Sequence, residues 1–305
     1  MIDTRALGYV VIETTDLAKW EYFGTQVMGL MVAPSVKEDG ALHLKMDEYP
    51  YRLRIVEGSA ERFAVAGWEV AGPKEFAAAV LELQAAGIAC ERASSATCSA
   101  RLLSEMVAFT APGGLRCELF YYMRLDYLPL ISPVGVSAFV TGFNGTMGLG
   151  HIAVATPDLE ASHRFFTAVM GLGQTDYLHL HFSPDPADPG QGLHFLHANN
   201  PRHHSLALFH SREPLPGDLV HLMVEVPDLD TLGAFMDRVH ANGVRVITCL
   251  GRHTNDRMVS IYVETPAGFA LEYGFDGLQL DWSSYVPTFS KRESLWGHRW
   301  SQGRT

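Results

Sequence analysis

The chain has 305 residues, of which 47% are apolar and 19% are charged. This length allows two domains with full apolar cores, and the composition is that of a folded protein. The formal net charge of −11 opposes binding to nucleic acid or to an anionic membrane surface. No apolar run approaches the ~20 residues of a transmembrane helix, and the N-terminus does not resemble a signal peptide. The four cysteines form no CxxC pair, so we expect a cytoplasmic protein with reduced thiols that acts on a small molecule.

One passage occurs twice in the chain. Residues 7–30, LGYVVIETTDLAKWEYFGTQVMGL, align without a gap with residues 149–172, LGHIAVATPDLEASHRFFTAVMGL. An alignment of this length indicates a duplicated structural unit. Of the 14 histidines, only His43 precedes residue 150. We therefore expect the second copy to hold the chemistry and the first copy to support it.

Each copy of this passage predicts a strand followed by an amphipathic helix. The helices begin after Asp16 and Asp158, because an aspartate at a helix start accepts backbone N–H groups of the first turn. They end at Gly29 and Gly171, because glycine tolerates the left-handed backbone of a helix end. The predicted strands of this region and of the segments after it cover residues 8–14, 42–46, 150–156 and 177–182.

Two further pairs of segments repeat this organisation. GWEVAGPKEFAAAVLELQAAG, which ends at Gly87, matches HLMVEVPDLDTLGAFMDRVHANG, which ends at Gly243. Each predicts a strand, a proline near the first helical turn and a helix closed by glycine. APGGLRCELFYY around Pro112 matches TPAGFALEYGFD around Pro266, and each predicts a turn and a final strand. Each half thus contains two strand–helix–strands modules, and the expected class is α+β.

The paired segments differ at positions that could bind a metal. They place His151 opposite Tyr9, His221 opposite Val65, and Glu272 opposite Glu118. Two histidines and one carboxylate are the donor set of non-haem Fe(II) oxygenases. An octahedral ion with three protein ligands keeps three open positions, which suit the two vicinal oxygens of a catechol and O₂. A single such histidine is more often a packed or surface residue than a ligand, and the pattern alone does not separate Fe(II) from Zn²⁺, Mn²⁺ or Ni²⁺. For the carboxylate of the first half we expect a structural role.

Four motifs of the second half resemble those of a known family. They are GLGHIAVATPDL with His151, NNPRHHSLALF with His203 and His204, VHLMVEV with His221, and GRHTNDRMVSIYVETPAGFALEYG with His253, Asn255, Asp256, Tyr262 and Glu272. The family is that of the two-domain extradiol ring-cleavage dioxygenases of the vicinal-oxygen-chelate superfamily, in the 2,3-dihydroxybiphenyl 1,2-dioxygenase branch. The resemblance spans nearly the whole chain and includes SLWGHRW near its C-terminus.

The resemblance implies tandem βαβββ modules that form two vicinal-oxygen-chelate domains of the glyoxalase/dioxygenase-like type. We expect a metal-free N-terminal domain over residues 1–135, a catalytic C-terminal domain over residues 136–285 and a tail over residues 286–305. Residues 125–147, rich in glycine, proline and aromatic residues, are the predicted linker. The resemblance also implies a homo-oligomer that acts in the catabolism of aromatic compounds.

The resemblance assigns the metal ligands to His151, His221 and Glu272. It implies Fe(II) as the ion, with Mn(II) as an alternative. It assigns the acid/base role to His204, and an unperturbed imidazole titrates at roughly 6.5, which suits a residue that moves protons.

The longest motif supplies the other expected site residues. The resemblance implies that His253 and Tyr262 hydrogen-bond the oxygens of the substrate and of the oxygenated intermediates. It implies that Asn255 and Asp256 fix their loop and orient His253. Together with the metal ligands, these residues would form the proton-handling set of the site.

Two residues are candidates for the wall of the substrate pocket. Ala153 lies two residues after His151, so the alternation of a strand puts both side chains on one face. Phe195 is the second candidate, and for both residues plain core packing is an equal alternative. The small side chain of Ala153 leaves room near the metal and favours a substituted ring.

We therefore predict Fe(II)-dependent extradiol cleavage of a substituted or bicyclic catechol, such as 2,3-dihydroxybiphenyl, with O₂. One alternative is another metalloenzyme of the superfamily, such as a glyoxalase-type isomerase or a 2-keto-acid dioxygenase. A second alternative, from another class, is a ligand-sequestering protein on the same fold. Among the other histidines, His179 and His181 are expected to be half-exposed strand residues, and His163 and His240 are expected at the surface of helices.

Overall fold

The computed structural model of the protein describes residues 1–33, 40–181, 185, 187–211 and 213–300. Within these residues the chain forms two β-sheets, of eight and ten strands, and five α-helices. Phe182, the end of one predicted strand, and residues 301–305 of the predicted tail lie outside the described residues. No helix in the described ranges is long and apolar enough to cross a membrane.

The N-terminal half forms the eight-stranded sheet. Its strands are β1 (Ala6–Thr14), β2 (Met31–Val32), β3 (Leu42–Lys45), β4 (Leu53–Glu57), β5 (Arg62–Glu69), β6 (Glu91–Arg92), β7 (Leu103–Thr110) and β8 (Arg116–Met123). Its helices are α1 (Leu17–Tyr22), which a π-helical turn over Phe23–Met28 continues, α2 (Pro73–Ala85) and α3 (Ser95–Ala100). The strands follow the spatial order β2-β3-β4-β1-β5-β8-β7-β6.

The C-terminal half forms the ten-stranded sheet. Its strands are β9 (His151–Thr156), β10 (Gly173–Leu180), β11 (Gln191–His197), β12 (Leu206–His210), β13 (His221–Glu225), β14 (Val246–His253), β15 (Val259–Glu264), β16 (Ala270–Phe275), β17 (Thr288–Ser290) and β18 (Ser294–Trp296). Its helices are α4 (Leu159–Ala168) and α5 (Leu229–Ala241). The strands follow the spatial order β17-β10-β11-β12-β9-β13-β16-β15-β14-β18.

The element order consists of four βαβββ modules, two in each half. In the first half, β1 pairs in parallel with β4 of its own module and antiparallel with β5 of the next. In the second half, β9 pairs in the same way with β12 and β13. Only the second module departs from the pattern among the described residues, because α3 is inserted between β6 and β7. The predicted α+β class and the tandem modules are confirmed.

The predicted helix ends follow local chemistry. The side chain of Asp16 accepts the backbone N–H of Lys19 at 3.1 Å, and Asp158 caps α4 in the same way. Gly29 and Gly171 both have left-handed backbone, with φ of 85° and 71°. A Cβ atom at Gly171 would lie 1.9 Å from the carbonyl oxygen of Ile2, so glycine here also permits close contact between the two halves.

The two halves share one hydrophobic core. A single cluster of buried side chains includes residues of both sheets. The rings of Trp20 and Phe269 lie 6.1 Å apart, and the Tyr273 hydroxyl donates to the carbonyl oxygen of Met28 at 3.0 Å. The domain boundaries predicted after residues 135 and 285 stay predictions, because this core continues from one half to the other.

The C-terminal tail occupies both edges of the ten-stranded sheet. β17 runs parallel to β10 at one edge, and β18 runs antiparallel to β14 at the other. Residues 291–293 are all that connects β17 to β18, and such a segment spans at most roughly 14 Å. The sheet therefore curls until its two edges approach each other, with the tail between them.

Candidate metal centre

Three neighbouring strands place the predicted ligands on one face of the C-terminal sheet. β13 lies between β9 and β16, and its Met223 pairs with both His151 and Glu272. His221 precedes Met223 by two residues, so its side chain points to the same face. The register of these strands thus brings His151, His221 and Glu272 together.

The three candidate ligand atoms form a small triangle. Nε2 of His151 lies 3.0 Å from Nε2 of His221. Oε2 of Glu272 lies 3.3 Å from the first nitrogen and 3.4 Å from the second. Donors bonded at about 2.1 Å to one ion stand about 3.0 Å apart in octahedral geometry and about 3.4 Å apart in tetrahedral geometry. The triangle therefore has the size of one face of a coordination polyhedron and fits a single metal ion.

The charge of the Glu272 carboxylate supports the same fit. In the described part of the chain, the ion-pair contacts of this buried carboxylate are all to histidines. Burial alone would raise the pKa of Glu272, but hydrogen bonds from His151 and His253 lower it well below its usual value. The carboxylate is thus ionised, and a buried negative charge needs a positive partner. His253, whose pKa is raised to about 9, supplies such a charge at Oε1, and a divalent cation among the three donors would supply it at Oε2.

His204 lies directly against this centre. Its ring centroid is 3.9 Å from that of His151, and its Nδ1 is 3.0 Å from Nδ1 of His203. Burial, followed by the neighbouring His151, lowers the pKa of His204 well below its usual value. The ring is therefore neutral at neutral pH and can accept a proton.

His253 and Tyr262 stand on the other side of the carboxylate. Nε2 of His253 lies 2.8 Å from the hydroxyl of Tyr262 and 3.2 Å from Oε1 of Glu272. Burial alone would lower the pKa of His253, but its hydrogen bond to Glu272 raises it to about 9. Burial and the charge of Glu272 raise the pKa of Tyr262 well above its usual value. Both side chains keep their protons at neutral pH and can donate to an oxygen atom beside the centre.

Asn255 and Asp256 lie in the loop between β14 and β15. Oδ1 of Asp256 accepts a backbone N–H of the same loop at 3.0 Å, and Oδ2 lies 4.0 Å from Nδ1 of His204. Burial raises the pKa of the Asp176 carboxyl, and the side chain of Asn255 is among the groups that counter this rise. Asp256 thus ties the loop together and faces His204. That these residues orient His253 stays a prediction.

The two candidate pocket residues are both close to the centre. Ala153 is buried and pairs with His221 across β9 and β13. Phe195 on β11 is half-buried, and its ring lies 5.0 Å from the ring of His204 in an edge-on arrangement. Their contact with a substrate stays a prediction.

Several histidines lie away from this centre. Nε2 of His163 is 2.6 Å and Nδ1 of His194 is 2.9 Å from the side-chain oxygen of Gln174, and the two rings are 4.1 Å apart. The predicted surface position of His163 is wrong, because α4 packs its ring against β11 and leaves it half-buried. Two groups of the described residues could hold a metal ion, one of His151, His221 and Glu272 and the other of His203, His204 and Asp256. His179 and His181 belong to neither.

Three residues near the centre were not singled out from the sequence. The Ser260 hydroxyl donates to Oε1 of Glu272 at 2.7 Å. Nε2 of His298 lies 3.2 Å from this hydroxyl, and Nδ1 of His253 lies 3.4 Å from the carbonyl oxygen of Glu293. His298 could have been identified from the sequence because it lies in the SLWGHRW motif, although the motif alone indicates no role for it.

In the N-terminal half, the equivalent carboxylate, Glu118, has different partners. Gly67 pairs with both Tyr9 and Glu118, in the same register as the C-terminal ligand strands. The Tyr9 hydroxyl donates to Oε2 of Glu118 at 2.6 Å, and Arg101 binds both carboxylate oxygens. An arginine of the chain is thus the counter-charge here, and no imidazole stands at Tyr9 or Val65.

Both halves of the chain match models of known protein families. Residues 148–273 match the model of the Glyoxalase/Bleomycin resistance protein/Dioxygenase superfamily, and residues 7–58 match that of Dihydroxybiphenyl dioxygenase BphC D1. The chain is 38% identical over 301 residues to an iron-dependent extradiol dioxygenase of Rhodococcus jostii (strain RHA1), with 98% of both chains covered. It is 36% identical over 296 residues to a biphenyl-2,3-diol 1,2-dioxygenase of Paraburkholderia xenovorans (strain LB400), with 97% of this chain and 95% of the relative covered.

Solved structures agree with these relatives. The crystal structure of BphC, a halotolerant catechol dioxygenase, matches with a TM-score of 0.86 and 33% identity over 97% of this chain and 95% of that one. The crystal structure of a catechol 2,3-dioxygenase matches with a TM-score of 0.87 and 29% identity over 100% and 97% of the two chains. The relatives above 30% identity cover almost the full length. The chain therefore belongs to the extradiol dioxygenase family of the vicinal-oxygen-chelate superfamily.

Proposed function

We propose that this protein is an Fe(II)-dependent extradiol dioxygenase that cleaves a substituted or bicyclic catechol, such as 2,3-dihydroxybiphenyl, with O₂. The observation that supports this most directly is the buried triangle of two imidazole nitrogens and one carboxylate oxygen. Three side chains able to accept or donate protons lie around it. This combination distinguishes the proposal from a ligand-binding protein, which needs no such donor set.

We propose that His151, His221 and Glu272 hold the ion. Fe(II) matches two imidazoles and one carboxylate, and Mn(II) is the alternative because carboxylate donors suit it as well. When bound, the ion would act as a Lewis acid toward the catechol oxygens and would relay electrons from the ring to O₂.

We propose that His204 is the acid/base of the reaction. Its Nδ1 is taken by His203, which leaves Nε2 to exchange a proton with the substrate. Because the ring is neutral, it can accept the proton of a catechol hydroxyl and return it later in the cycle. A positioned imidazole contributes about 10²–10⁴-fold to a rate in such a role.

We propose that His253 and Tyr262 donate hydrogen bonds to the substrate oxygens. The hydrogen bond between Nε2 of His253 and the Tyr262 hydroxyl at 2.8 Å holds both side chains in place before the substrate arrives, and a substrate oxygen would replace one of their present acceptors. Donors that are already oriented stabilise negative charge that develops on oxygen without a further cost of reorganisation. Ala153 and Phe195 would contact the ring and its substituent.

The organisation of the protein forms a further part of the proposal. We propose a metal-free domain over residues 1–135, a catalytic domain over residues 136–285 and a tail over residues 286–305. A homo-oligomer is supported by large apolar side chains that remain exposed on one chain, among them Tyr127, Ile131 and Phe143. A cytoplasmic location is supported by the free thiols of all four cysteines.

The test is an assay of the iron-loaded enzyme. Anaerobically purified protein reconstituted with Fe(II) is expected to consume O₂ and to form a yellow ring-opened product from 2,3-dihydroxybiphenyl or 3-methylcatechol. 1,3-Dihydroxybenzene is the matched negative substrate, because its oxygens are not vicinal and cannot chelate one ion. His240→Ala, at an exposed position of α5, is the control variant and should change nothing. Iron binding without O₂ consumption for any vicinal diol would contradict the proposal.

A further inference from the structure

The two oxygens of the Glu272 carboxylate have different partners. Oε2 faces His151 and His221, whereas Oε1 accepts a hydrogen bond from the Ser260 hydroxyl at 2.7 Å. A carboxylate that presents one oxygen to a metal keeps that orientation only if its other oxygen is held. Ser260 is thus the closer of two groups that hold Oε1, and the other is Nε2 of His253 at 3.2 Å.

The C-terminal tail in turn holds Ser260. Nε2 of His298 lies 3.2 Å from the Ser260 hydroxyl, and Nδ1 of His298 lies 2.7 Å from the hydroxyl of Ser294. A hydroxyl has one proton to donate, and Ser260 uses it on Glu272, so the imidazole N–H of His298 is the donor. It is shared between the hydroxyl and the carbonyl oxygen of Ser260, which both lie 3.2 Å from Nε2. Burial lowers the pKa of His298 to about 4, which keeps the ring neutral with one N–H and one acceptor nitrogen.

The tail is itself fixed on both sides of this imidazole. The buried carboxylate of Asp176 accepts hydrogen bonds from the hydroxyls of Thr288 at 2.7 Å and Ser290 at 2.8 Å, which anchors β17. After β18, Gly297 passes so close to β14 that a Cβ atom would lie 2.1 Å from the carbonyl oxygen of Leu250. The backbone on both sides of His298 therefore has little freedom to move and fixes this residue beside the centre.

The N-terminal half shows which residue occupies the place of Ser260 in the copy without the metal donor set. Ser260 pairs with Gly274 across β15 and β16, and Met106 occupies the equivalent place opposite Phe120 across β7 and β8. Methionine cannot donate a hydrogen bond. The hydroxyl is thus present in the half with the metal donor set and absent from the half where Arg101 neutralises the carboxylate.

We propose that Ser260 and His298 are positioning residues of the metal centre. The imidazole of the tail orients the Ser260 hydroxyl, and this hydroxyl holds Glu272 so that Oε2 faces the ion. The inference rests on the proposed function insofar as Glu272 must be a ligand, and it adds a dependence of metal affinity on a residue near the end of the chain.

The test measures Fe(II) affinity under anaerobic conditions by competition with a chromophoric chelator, with no turnover involved. Ser260→Ala and His298→Leu should each raise the apparent Kd about 10–100-fold, the usual effect of losing a partner of a metal ligand. His298→Gln should be affected less, because its amide N–H can replace the imidazole donor. His298 has φ of 45°, so Leu and Gln share the backbone cost, and their difference isolates the donor. The double variant S260A/H298L should bind no more weakly than S260A alone, because His298 acts through Ser260.

The outcomes separate this inference from the proposed function. A wild-type protein that binds no iron contradicts the proposed function. A wild-type protein that binds iron, with S260A and H298L both within about twofold of it, overturns only this inference, and so do additive effects in the double variant. Thermal unfolding of the metal-free proteins identifies a purely structural effect of the tail. Such an effect would lower the melting temperature without changing the apparent Kd for Fe(II) in the chelator competition. The exposed His240→Leu is the control. Should H298L fail to fold, H298Q and S260A still decide the question.

Discussion

The ion pair between Arg101 and Glu118 allows a quantitative prediction about the N-terminal half. Arg101 binds the two carboxylate oxygens at 2.7 Å and 2.5 Å, and the two side chains are only 10% and 9% exposed. Arg101→Met removes the positive charge and leaves the carboxylate buried with the Tyr9 hydroxyl. Because an uncompensated buried charge is costly, we expect a loss of about 3–5 kcal/mol in the free energy of unfolding.

A second substitution tests whether charge causes this loss. Glu118→Gln in the Arg101→Met background removes the stranded charge and keeps an oxygen that can accept from Tyr9. We therefore expect the double variant to be more stable than Arg101→Met alone, by up to about 3 kcal/mol. Arg92→Met is the matched control, since Arg92 pairs with Glu105 at 57% and 41% exposure, and such pairs contribute only about 0–1 kcal/mol.

The measurement is equilibrium unfolding in urea of the metal-free proteins, followed by circular dichroism and fluorescence. If Arg101→Met is no more destabilising than Arg92→Met, or if the double variant does not recover stability, then Glu118 is not held as a buried anion. A counter-charge from Arg101 would then no longer distinguish the N-terminal half from the C-terminal half. Iron content should be the same in all these variants, because the altered residues lie in the half without the metal donor set.

Three other predictions concern the C-terminal half. His221→Ala should weaken Fe(II) binding by more than about 100-fold, since even outer partners of a ligand contribute about 10–100-fold; unchanged iron content by elemental analysis would remove His221 from the ligand set. His204→Ala should leave iron content unchanged but lower kcat by about 10²–10⁴-fold in an oxygen-electrode assay, and loss of iron would instead indicate a structural role. Burial, followed by the charge of His163, lowers the pKa of His194 to about 4, so between this value and roughly 6.5 the unfolded chain binds a proton that the folded chain does not. Lowering the pH from 7 to 5 should therefore reduce the free energy of unfolding, as measured by urea titration. In His194→Phe this reduction should be smaller than in the wild type. An equal reduction in both proteins would exclude His194 as a cause.

Much of the fold is predictable because the sequence contains the same module more than once, so that each copy supports the elements predicted for the other. Local chemistry then sets the helix starts, as the capping contacts of Asp16 and Asp158 show. The π-helical turn over Phe23–Met28 was not expected, since its counterpart in the gapless alignment belongs partly to a regular α-helix. The edge strands β17 and β18 have three residues each, which is too short for a periodic pattern, and their partners lie far away in the sequence.

The site was predictable where the two copies differ and unpredictable where contacts join distant segments. The candidate ligand positions could be predicted because His151 and His221 have no imidazole counterparts in the first half. Arg101 could not be paired with Glu118 by comparing the repeats, because it follows the inserted α3, which has no equivalent among the described residues of the C-terminal half. Ser260 is an ordinary strand residue until the tail places His298 against it.

The two halves provide different counter-charges for the same buried carboxylate. In the N-terminal half Arg101 is covalently part of the chain, so the charge of Glu118 is compensated as soon as that half folds. In the C-terminal half Glu272 contacts imidazoles and hydroxyls. His253, whose pKa is raised to about 9, supplies one positive charge at Oε1, and a cation from solution would add compensation at Oε2. A ligand that binds only the folded state stabilises it in proportion to the logarithm of its free concentration. Metal bound at Glu272 would therefore stabilise the C-terminal half, whereas the ion pair of Arg101 and Glu118 in the N-terminal half needs no metal and supports the shared core with or without it.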